Sequence, residues 1–186
     1  IEEAKNRGYK VEYEEPDRYF DFRKGTLDYP LPKGYHFVDS KDSDPLKCAK
    51  CLWDGFNSYD FGEFKDWDIP TKNGGISAHE LYQNVLGATL SPSPHATYDY
   101  TVVIADENEE YVCFSGMWWV PENKLAYMEP LCTVPSHQHK GLAAAALSRH
   151  DKVMRELGAE VMTGGGNEFY EKIGYQGVHT WLHMKK

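Results

Sequence analysis

The stretch Tyr127-Met128-Glu129-Pro130-Leu131-Cys132-Thr133-Val134-Pro135-Ser136-His137-Gln138-His139-Lys140-Gly141-Leu142-Ala143 decides how this chain folds. It begins as a strand that starts at Leu125, passes through a polar loop after Val134-Pro135, and enters a helix that Gly158 ends, with Leu147, Met154 and Leu157 on one face. A strand feeding a helix in this way aims the first free backbone N–H groups of the helix at whatever occupies the crevice, and that occupant is expected to be anionic. Gly141 allows the backbone to approach phosphate oxygens closely, Ala143 keeps the first turn uncrowded, and Lys140 adds a full charge to the helix dipole. Pro130 supplies a second constraint. It has no N–H to give to a ladder, so its strand is expected to bulge or splay there, leaving later backbone groups open to a ligand. The loop has neither the Gly-Lys-Ser/Thr ending of a Walker A motif nor the three spaced glycines of a dinucleotide fingerprint.

Working outward, Ala159 to Thr163 reads as a short strand, Asn167 to Ile173 as a short helix stopped by Gly174, and Val178 to Met184 as a terminal strand. On the amino-terminal side, strands at Tyr100 to Ala105, Tyr111 to Val120 and from Leu125 onward form an antiparallel meander with turns at Asp106-Glu107-Asn108 and Pro121-Glu122-Asn123. Asp44-Pro45 opens a helix that runs to about Asn57 with Leu46, Ala49, Trp53 and Phe56 along one face. Ser77-Ala78-His79-Glu80 has capping-box spacing and opens a second helix through Leu81, Tyr82, Val85 and Leu86 to Gly87, and Phe61 to Gly75 between the two reads as a loop. Tyr35 to Val38 is a first or edge strand. The sum is an α+β (mixed α/β) fold with a strand–helix–strand crossover whose strands run parallel.

The first thirty residues read as a separate unit, with a helix end at Gly8 and extended pieces at Tyr9 to Tyr13 and Tyr19 to Phe22 around Glu14-Glu15-Pro16-Asp17. Residues 1–32 are therefore expected to be an extension, a linker or the tail of a preceding domain, and residues 33–186 the main domain. Beginning at Ile1 rather than Met, the chain is either trimmed or a piece of something longer, including one half of a tandem protein.

With 186 residues, 41% of them hydrophobic and 14% aromatic, the chain can bury a core without metal or disulfide staples. A formal charge of −9 argues against a general nucleic-acid binder and suits a cationic or amine-bearing partner. No run approaches the roughly 18 apolar residues of a membrane span, and Ile1-Glu2-Glu3 does not open a signal peptide, so no membrane partner and a cytoplasmic location are expected. Cys48, Cys51, Cys113 and Cys132 are too few and scattered for a disulfide framework. Cys48-x-x-Cys51 has zinc-ligand or redox spacing, but no second Cys/His pair follows, and no metal is expected.

Gln138-His139-Lys140-Gly141-Leu142-Ala143 resembles the pyrophosphate loop of the GNAT acetyltransferases, Gln/Arg-x-x-Gly-x-Gly/Ala. Tyr127 to Pro135 looks like that family's fourth strand, and Phe169-Tyr170-Glu171-Lys172-Ile173-Gly174-Tyr175 looks like its carboxyl-terminal Phe-Tyr-x-x-x-Gly-Phe/Tyr motif, in the right order and spacing. The resemblance implies a GNAT-like fold with a mostly antiparallel sheet splayed at the cofactor strand and flanked by helices. It implies acetyl-CoA as co-substrate, its pantetheine arm on the backbone of Leu131, Cys132, Thr133 and Val134 and its pyrophosphate at Gln138, His139, Lys140, Gly141, Leu142 and Ala143. Asn167 resembles the family's pantetheine-bonding Asn, although it precedes Tyr170 by only three positions and Gly164-Gly165-Gly166 replaces part of the usual helix; as a residue it also reads as an N-cap.

An alkylammonium with a pKa of about 10.4 is no nucleophile at neutral pH, so transfer to it needs a proton acceptor and a donor for the departing thiolate. Glu129, in phase with Tyr127 and Leu131, looks like the acidic residue many relatives place near the acceptor and is the expected base; the alternative is a carboxylate that faces solvent or pairs with a Lys or Arg. Tyr170 matches the family Tyr near the CoA sulfur and is the expected acid, against a role as core aromatic. Cys132 reads as a buried, inert thiol rather than an acylated nucleophile, and His137 and His139 as phosphate-side loop residues. The expected activity is direct acetyl transfer to a primary amine on a small molecule, peptide or protein within a ternary complex; the alternative is a non-catalytic acyl-CoA-binding module. Trp53, Phe56, Tyr59, Phe61, Phe64 and Trp67 are expected to shape an aromatic, acidic acceptor pocket, or else to be core.

Overall fold

The computed structural model describes residues 1–58, 64 and 98–186. The expected helix from Ser77 to Gly87, the Phe61 to Gly75 loop, and Tyr59, Phe61 and Trp67 lie outside the described residues, Phe64 excepted. The described chain runs α1 (Glu2–Asn6), β1 (Lys10–Asp21), β2 (Tyr35–Val38), α2 (Pro45–Gly55), β3 (Val102–Asp106), β4 (Tyr111–Val120), β5 (Leu125–Thr133), α3 (Leu142–Leu157), β6 (Val161–Gly164), α4 (Glu168–Lys172) and β7 (Gln176–Lys185). The strands form one sheet in the order β2-β3-β4-β5-β6-β1-β7, antiparallel except for the β5–β6 pair. This is the α+β architecture expected, including the parallel crossover through α3. Among the described residues, no helix is long and apolar enough to cross a membrane.

The two longer helices lie on opposite faces of the sheet because the strands alternate apolar side chains to both. Val103, Ala105, Phe114 and Cys132 pack with Cys48, Ala49, Cys51 and Leu52 of α2. Val102, Ile104 and Cys113 pack with Leu142 and Ala146, and Met117, Ala126 and Met128 with Leu147 and Met154, all four partners being on α3. A fully buried side chain of the size of Phe114 or Leu147 contributes about 1.5–3 kcal/mol by leaving water. Asp44 caps α2 as expected, its carboxylate accepting from the Leu46 and Lys47 N–H groups. The buried face of that helix differs from the one expected: Leu46 and Phe56 are exposed, while Cys48, Ala49, Cys51, Leu52 and Trp53 are buried. Two cysteines that do not stand out as apolar in a sequence pattern carry the inner stripe. The four cysteines are free and buried, and burial pushes the thiols of Cys48 and Cys113 up to about 12.

The amino-terminal segment is not an appendage. Lys10 to Asp21 form one continuous strand inside the sheet order, with Arg18 to Asp21 paired to Gly164 to Val161 of β6 on one side and Lys10 to Tyr19 paired to β7 on the other. Pro16 reads as a break, yet it pairs with Thr180 of β7 at a level beyond Gly164, the last residue of β6, where β1 has a strand neighbour on one side only. The chain after β1 is then strapped to α3. Leu27 N–H donates to Asp151 Oδ2 at 3.1 Å, Tyr29 N–H to Ser148 Oγ at 2.9 Å, and the Arg155 guanidinium bonds the carbonyls of Phe22 and Gly25 while holding Asp151 Oδ1 at 2.7 Å. Phe20, Phe22 and Leu27 belong to the main core cluster.

Deleting residues 1–32 is therefore expected to abolish the cooperative thermal transition followed by circular dichroism. A truncated chain that melts cooperatively within a few degrees of the intact one would contradict this packing.

Candidate active site

The site begins with a strand that loses one of its two neighbours. β5 pairs with β4 along nearly its whole length, but with β6 only at Leu125↔Val161 and Ala126↔Met162. Beyond that, Met128 N–H donates to the Thr163 hydroxyl at 2.8 Å instead of to a backbone carbonyl, and the strands part. The bulge expected at Pro130 is present: Ser115 faces Leu131 and Met117 faces Met128, so Glu129 and Pro130 together oppose Gly116 alone. A Cβ on Gly116 would overlap the Glu129 carbonyl oxygen and stand 3.1 Å from Pro130 Cδ, so the bulge requires glycine there. The extra residue also flips the faces of the strand. Ala126 and Met128 pack toward α3 and Tyr127 and Glu129 point to the other face, whereas Leu131 again packs toward α3 and Cys132 toward α2. The expected phasing of Glu129 with Tyr127 holds, and with Leu131 it does not.

A groove of about 670 Å³ lies in the opening. Leu131, Cys132 and Thr133 form one wall, and Asn167, Phe169 and Tyr170 face them from the chain after β6. Val134 N–H is bonded to Val112 O at 2.9 Å, and by the alternation of an antiparallel ladder the backbone groups of Leu131 and Thr133 are then the ones directed into the gap. Of the four consecutive residues expected to bond a ligand, two present their main chain there. Val134 does not line the groove, and its carbonyl accepts from His137 N–H at 2.8 Å.

At the other end, Gln138, His139, Gly141, Leu142 and Ala143 line the groove, and Lys140 does not. Gln138 spans the turn with its Nε2 on Thr133 O at 3.1 Å. His139 and Gly141 are left-handed, with φ of 60° and 85°, a backbone pattern that concentrates N–H groups into an anion-binding concavity. Gly141, the N-cap of α3, has no side chain to cap it, and among the described residues the orphan N–H groups of the first turn are left for whatever fills the groove. His137 lines the groove too, with Nδ1 held 2.9 Å from the Tyr35 hydroxyl. Asn167 caps α4, its Oδ1 accepting from Phe169 N–H at 2.9 Å.

Tyr170 stands where the groove meets the end of β6. It is 8% exposed and packs edge-on against Phe169 and Tyr175. Two of the three consecutive glycines are explained here: a Cβ on Gly164 would come within 2.8 Å of both Tyr170 and Tyr175 ring atoms, and one on Gly165 within 3.1 Å of Tyr170. Burial, and then the negative charge of Glu129, push the phenol up to about 12, so it keeps its proton at neutral pH. Glu129 lies in turn in a region where burial and the charge of Glu15 raise its carboxyl above the ordinary 4.5. Arg18 of β1 holds this end together. Its buried guanidinium bonds Glu171 Oε1 through Nε at 3.0 Å and Nη2 at 2.6 Å, with Nη1 3.5 Å from Gly165 O.

A second cleft of about 540 Å³ includes Glu129 and takes its other walls from β1, which the sequence reading placed outside the main domain, and from β7, the expected terminal strand. Glu15, Asp17 and Tyr19 come from β1 and Trp181 and His183 from β7, beside Tyr127. Of the rings expected to shape an acceptor pocket, the three that are described do not line this cleft: Trp53 of α2 is buried, with the Phe64 ring centroid 6.4 Å away, and Phe56 is exposed. The alternation of Glu15, Asp17 and Tyr19 on one face of a strand was the available signal.

Residues 63–175 match the model of the Acetyltransferase (GNAT) family. No curated protein matches the chain. Among solved structures, it is similar to a GCN5-related N-acetyltransferase from Sphaerobacter thermophilus, with TM-score 0.71 and 11% identity over 99% of this chain and 55% of that one. It is also similar to a tandem GNAT protein from the clavulanic acid biosynthesis pathway (TM-score 0.64, 10% identity, 97% of this chain and 56% of that one). A third likeness is to a GCN5-related N-acetyltransferase from Kribbella flavida (TM-score 0.56, 13% identity, 97% and 61%). These likenesses are of fold, and the chain spans little more than half the length of those proteins. The chain belongs to the GNAT acetyltransferase family, whose class of chemistry is acyl transfer and whose typical co-substrate is acetyl-CoA.

Two outcomes follow from the geometry. Gly116→Ala is expected to cost at least about 2 kcal/mol in denaturant unfolding, since the new methyl must displace backbone. Glu129→Gln is expected to raise Tm at pH 7. A carboxyl whose folded pKa is raised favours the fold fully only while protonated, and that advantage is lost as pH rises through the folded value. The gain from Gln should therefore fade as pH falls below 4.5; an equal Tm gain at pH 4 and pH 7 would remove the electrostatic cause.

Proposed function

We propose that this chain transfers an acetyl group from acetyl-CoA to a primary amine by direct transfer within a ternary complex. The observation that carries this reading is the placing of Tyr170 and Glu129 at the parting of β5 and β6, one in the groove that leads to the uncapped start of α3 and the other in the acidic cleft.

The residues present fit an acyl-CoA. Leu131 and the Thr133 N–H offer backbone that no neighbouring strand pairs to an amide-bearing arm, the Thr133 carbonyl being held by Gln138, and the first turn of α3 with left-handed His139 and Gly141 offers N–H groups to a diphosphate. When bound, acetyl-CoA supplies a thioester carbonyl for attack. The Glu129 carboxylate takes the proton that an acceptor ammonium must give up before its nitrogen can form the new N–C bond. Its raised pKa makes it a stronger base than an ordinary surface carboxylate. As the C–S bond breaks, the Tyr170 phenol donates its proton to the sulfur, the second proton that the nitrogen loses on becoming an amide restores the phenol, and the proton held by Glu129 passes to solvent. Lys140, outside the groove, contributes charge to the phosphate end rather than a direct contact.

Thiol release across an amine panel tests the reading. Glu129→Gln and Tyr170→Phe are each expected to lower turnover at least about tenfold with acetyl-CoA affinity nearly kept. Saturable acetyl-CoA binding with no thiol release above hydrolysis for any amine would instead identify a non-catalytic acyl-CoA-binding module.

A further inference from the structure

Resting on the transfer reading above, the geometry points to a narrower acceptor: we infer that the amine carries a second cationic centre, held by Asp17 and Glu15 against the rings of Trp181 and Tyr19 while the reacting nitrogen sits at Glu129. The cavity containing Glu129 is what decides this. Three carboxylates, Glu15, Asp17 and Glu129, face it, and among its described lining residues none is Lys or Arg. The basic partners are two imidazoles, His183 Nε2 on Glu15 Oε2 at 2.9 Å and His179 Nε2 on Asp17 Oδ2 at 3.1 Å. Even with both protonated, those groups together would carry one net negative charge. The carboxylates also feel one another, since the charge of Glu15 holds Glu129 toward its neutral form. A cationic ligand relieves that repulsion, and an anionic one would add to it.

Asp17 is built as a fixed contact rather than a loose surface charge. Trp181 Nε1 at 3.1 Å, His179 Nε2 at 3.1 Å and the Tyr19 hydroxyl at 3.4 Å converge on its Oδ2, leaving Oδ1 without a donor among the described residues. Aromatic walls stand beside it. Trp181 is 58% exposed, and Tyr127 stacks on Trp118 with centroids 5.2 Å apart. Burial and nearby carboxylates hold the Tyr19 and Tyr127 phenols above their ordinary pKa, so both rings stay neutral and offer π-faces to an alkylammonium. Asp17 lies on β1 and Glu129 on β5, with β6 between them in the sheet order. Two strand spacings, widened where β5 and β6 part, put the backbones of the two residues at least roughly 10 Å apart, which calls for two nitrogens separated by an alkyl chain. The chemical class is an α,ω-diamine or longer polycationic alkylamine, and a monoamine or an amino acid meets only half of the site.

The test compares α,ω-diamines from 1,4-diaminobutane to 1,8-diaminooctane with n-alkylamines of matched length, using the intact chain, acetyl-CoA and thiol release. Expected is a kcat/KM at least about tenfold higher for the best diamine than for its matched monoamine, carried by KM. Asp17→Asn should collapse that ratio toward one, and Glu15→Gln, at an exposed side chain, is the second variant should Asp17→Asn fold poorly. Equal rates for diamines and monoamines, or a preference for amines bearing a carboxylate, overturn the inference. A readout independent of turnover separates it from the reading it rests on: calorimetric titration of 1,6-diaminohexane against hexylamine without acetyl-CoA. Selective diamine binding that is lost in Asp17→Asn, with no thiol release from any amine, keeps the cationic site and removes acetyl transfer. Thiol release without selective diamine binding or a diamine preference keeps transfer and removes the inference.

Discussion

The site depends on β5 having a strand neighbour on one side only after Ala126. Backbone N–H and C=O groups that leave a ladder need other partners, because an unmet polar group away from water costs about as much as the bond it lost. Here the requirement is met piecemeal: Thr163 lends its hydroxyl to Met128, the Gln138 carboxamide takes the Thr133 carbonyl, and the rest faces an open groove. The same parting brings the bare start of α3 to the end of that groove, so open strand backbone and uncapped helix N–H groups become neighbours along one track.

What keeps the gap open is the other side of β6. That strand is four residues long, and by itself could slide toward β5 and close the ladder. It is held instead against β1, whose Arg18 reaches across to Glu171 and to the Gly165 carbonyl and so fixes both α4 and the turn before it. The Asp151–Arg155 pair fastens the chain after β1 to α3 at the opposite end. A segment that looks peripheral in sequence therefore sets the width of the groove and supplies the acidic wall of the cleft.

Stability and chemistry pull apart at two places in the site. Burial and Glu15 oppose the ionisation of Glu129, which weakens the fold near neutrality while making the carboxylate a better proton acceptor. Gly164 and Gly165 give up side-chain packing and conformational order so that Tyr170 and Tyr175 can stack into the end of β6. In both cases the local choice runs against stability and is explained by what stands beside it.

Local signals carried the elements and the lining of the groove. Pro130 announced the bulge through its missing N–H, Gly141 and the alanines after it announced an open helix start, and the Phe169 to Tyr175 motif placed Tyr170, because each depends on residues close in sequence. Face and partnership did not read through. The single residue opposite Glu129–Pro130 that flips the strand is Gly116, on another strand; Cys48 and Cys51 took the inner stripe of α2; and Pro16 hid a strand whose partners, Thr180 of β7 and later Gly164 of β6, lie some 150 residues away in the chain. Glu15, Asp17 and Trp181 become one cleft only when β1 and β7 pair, a contact between the two ends of the chain that no local pattern encodes.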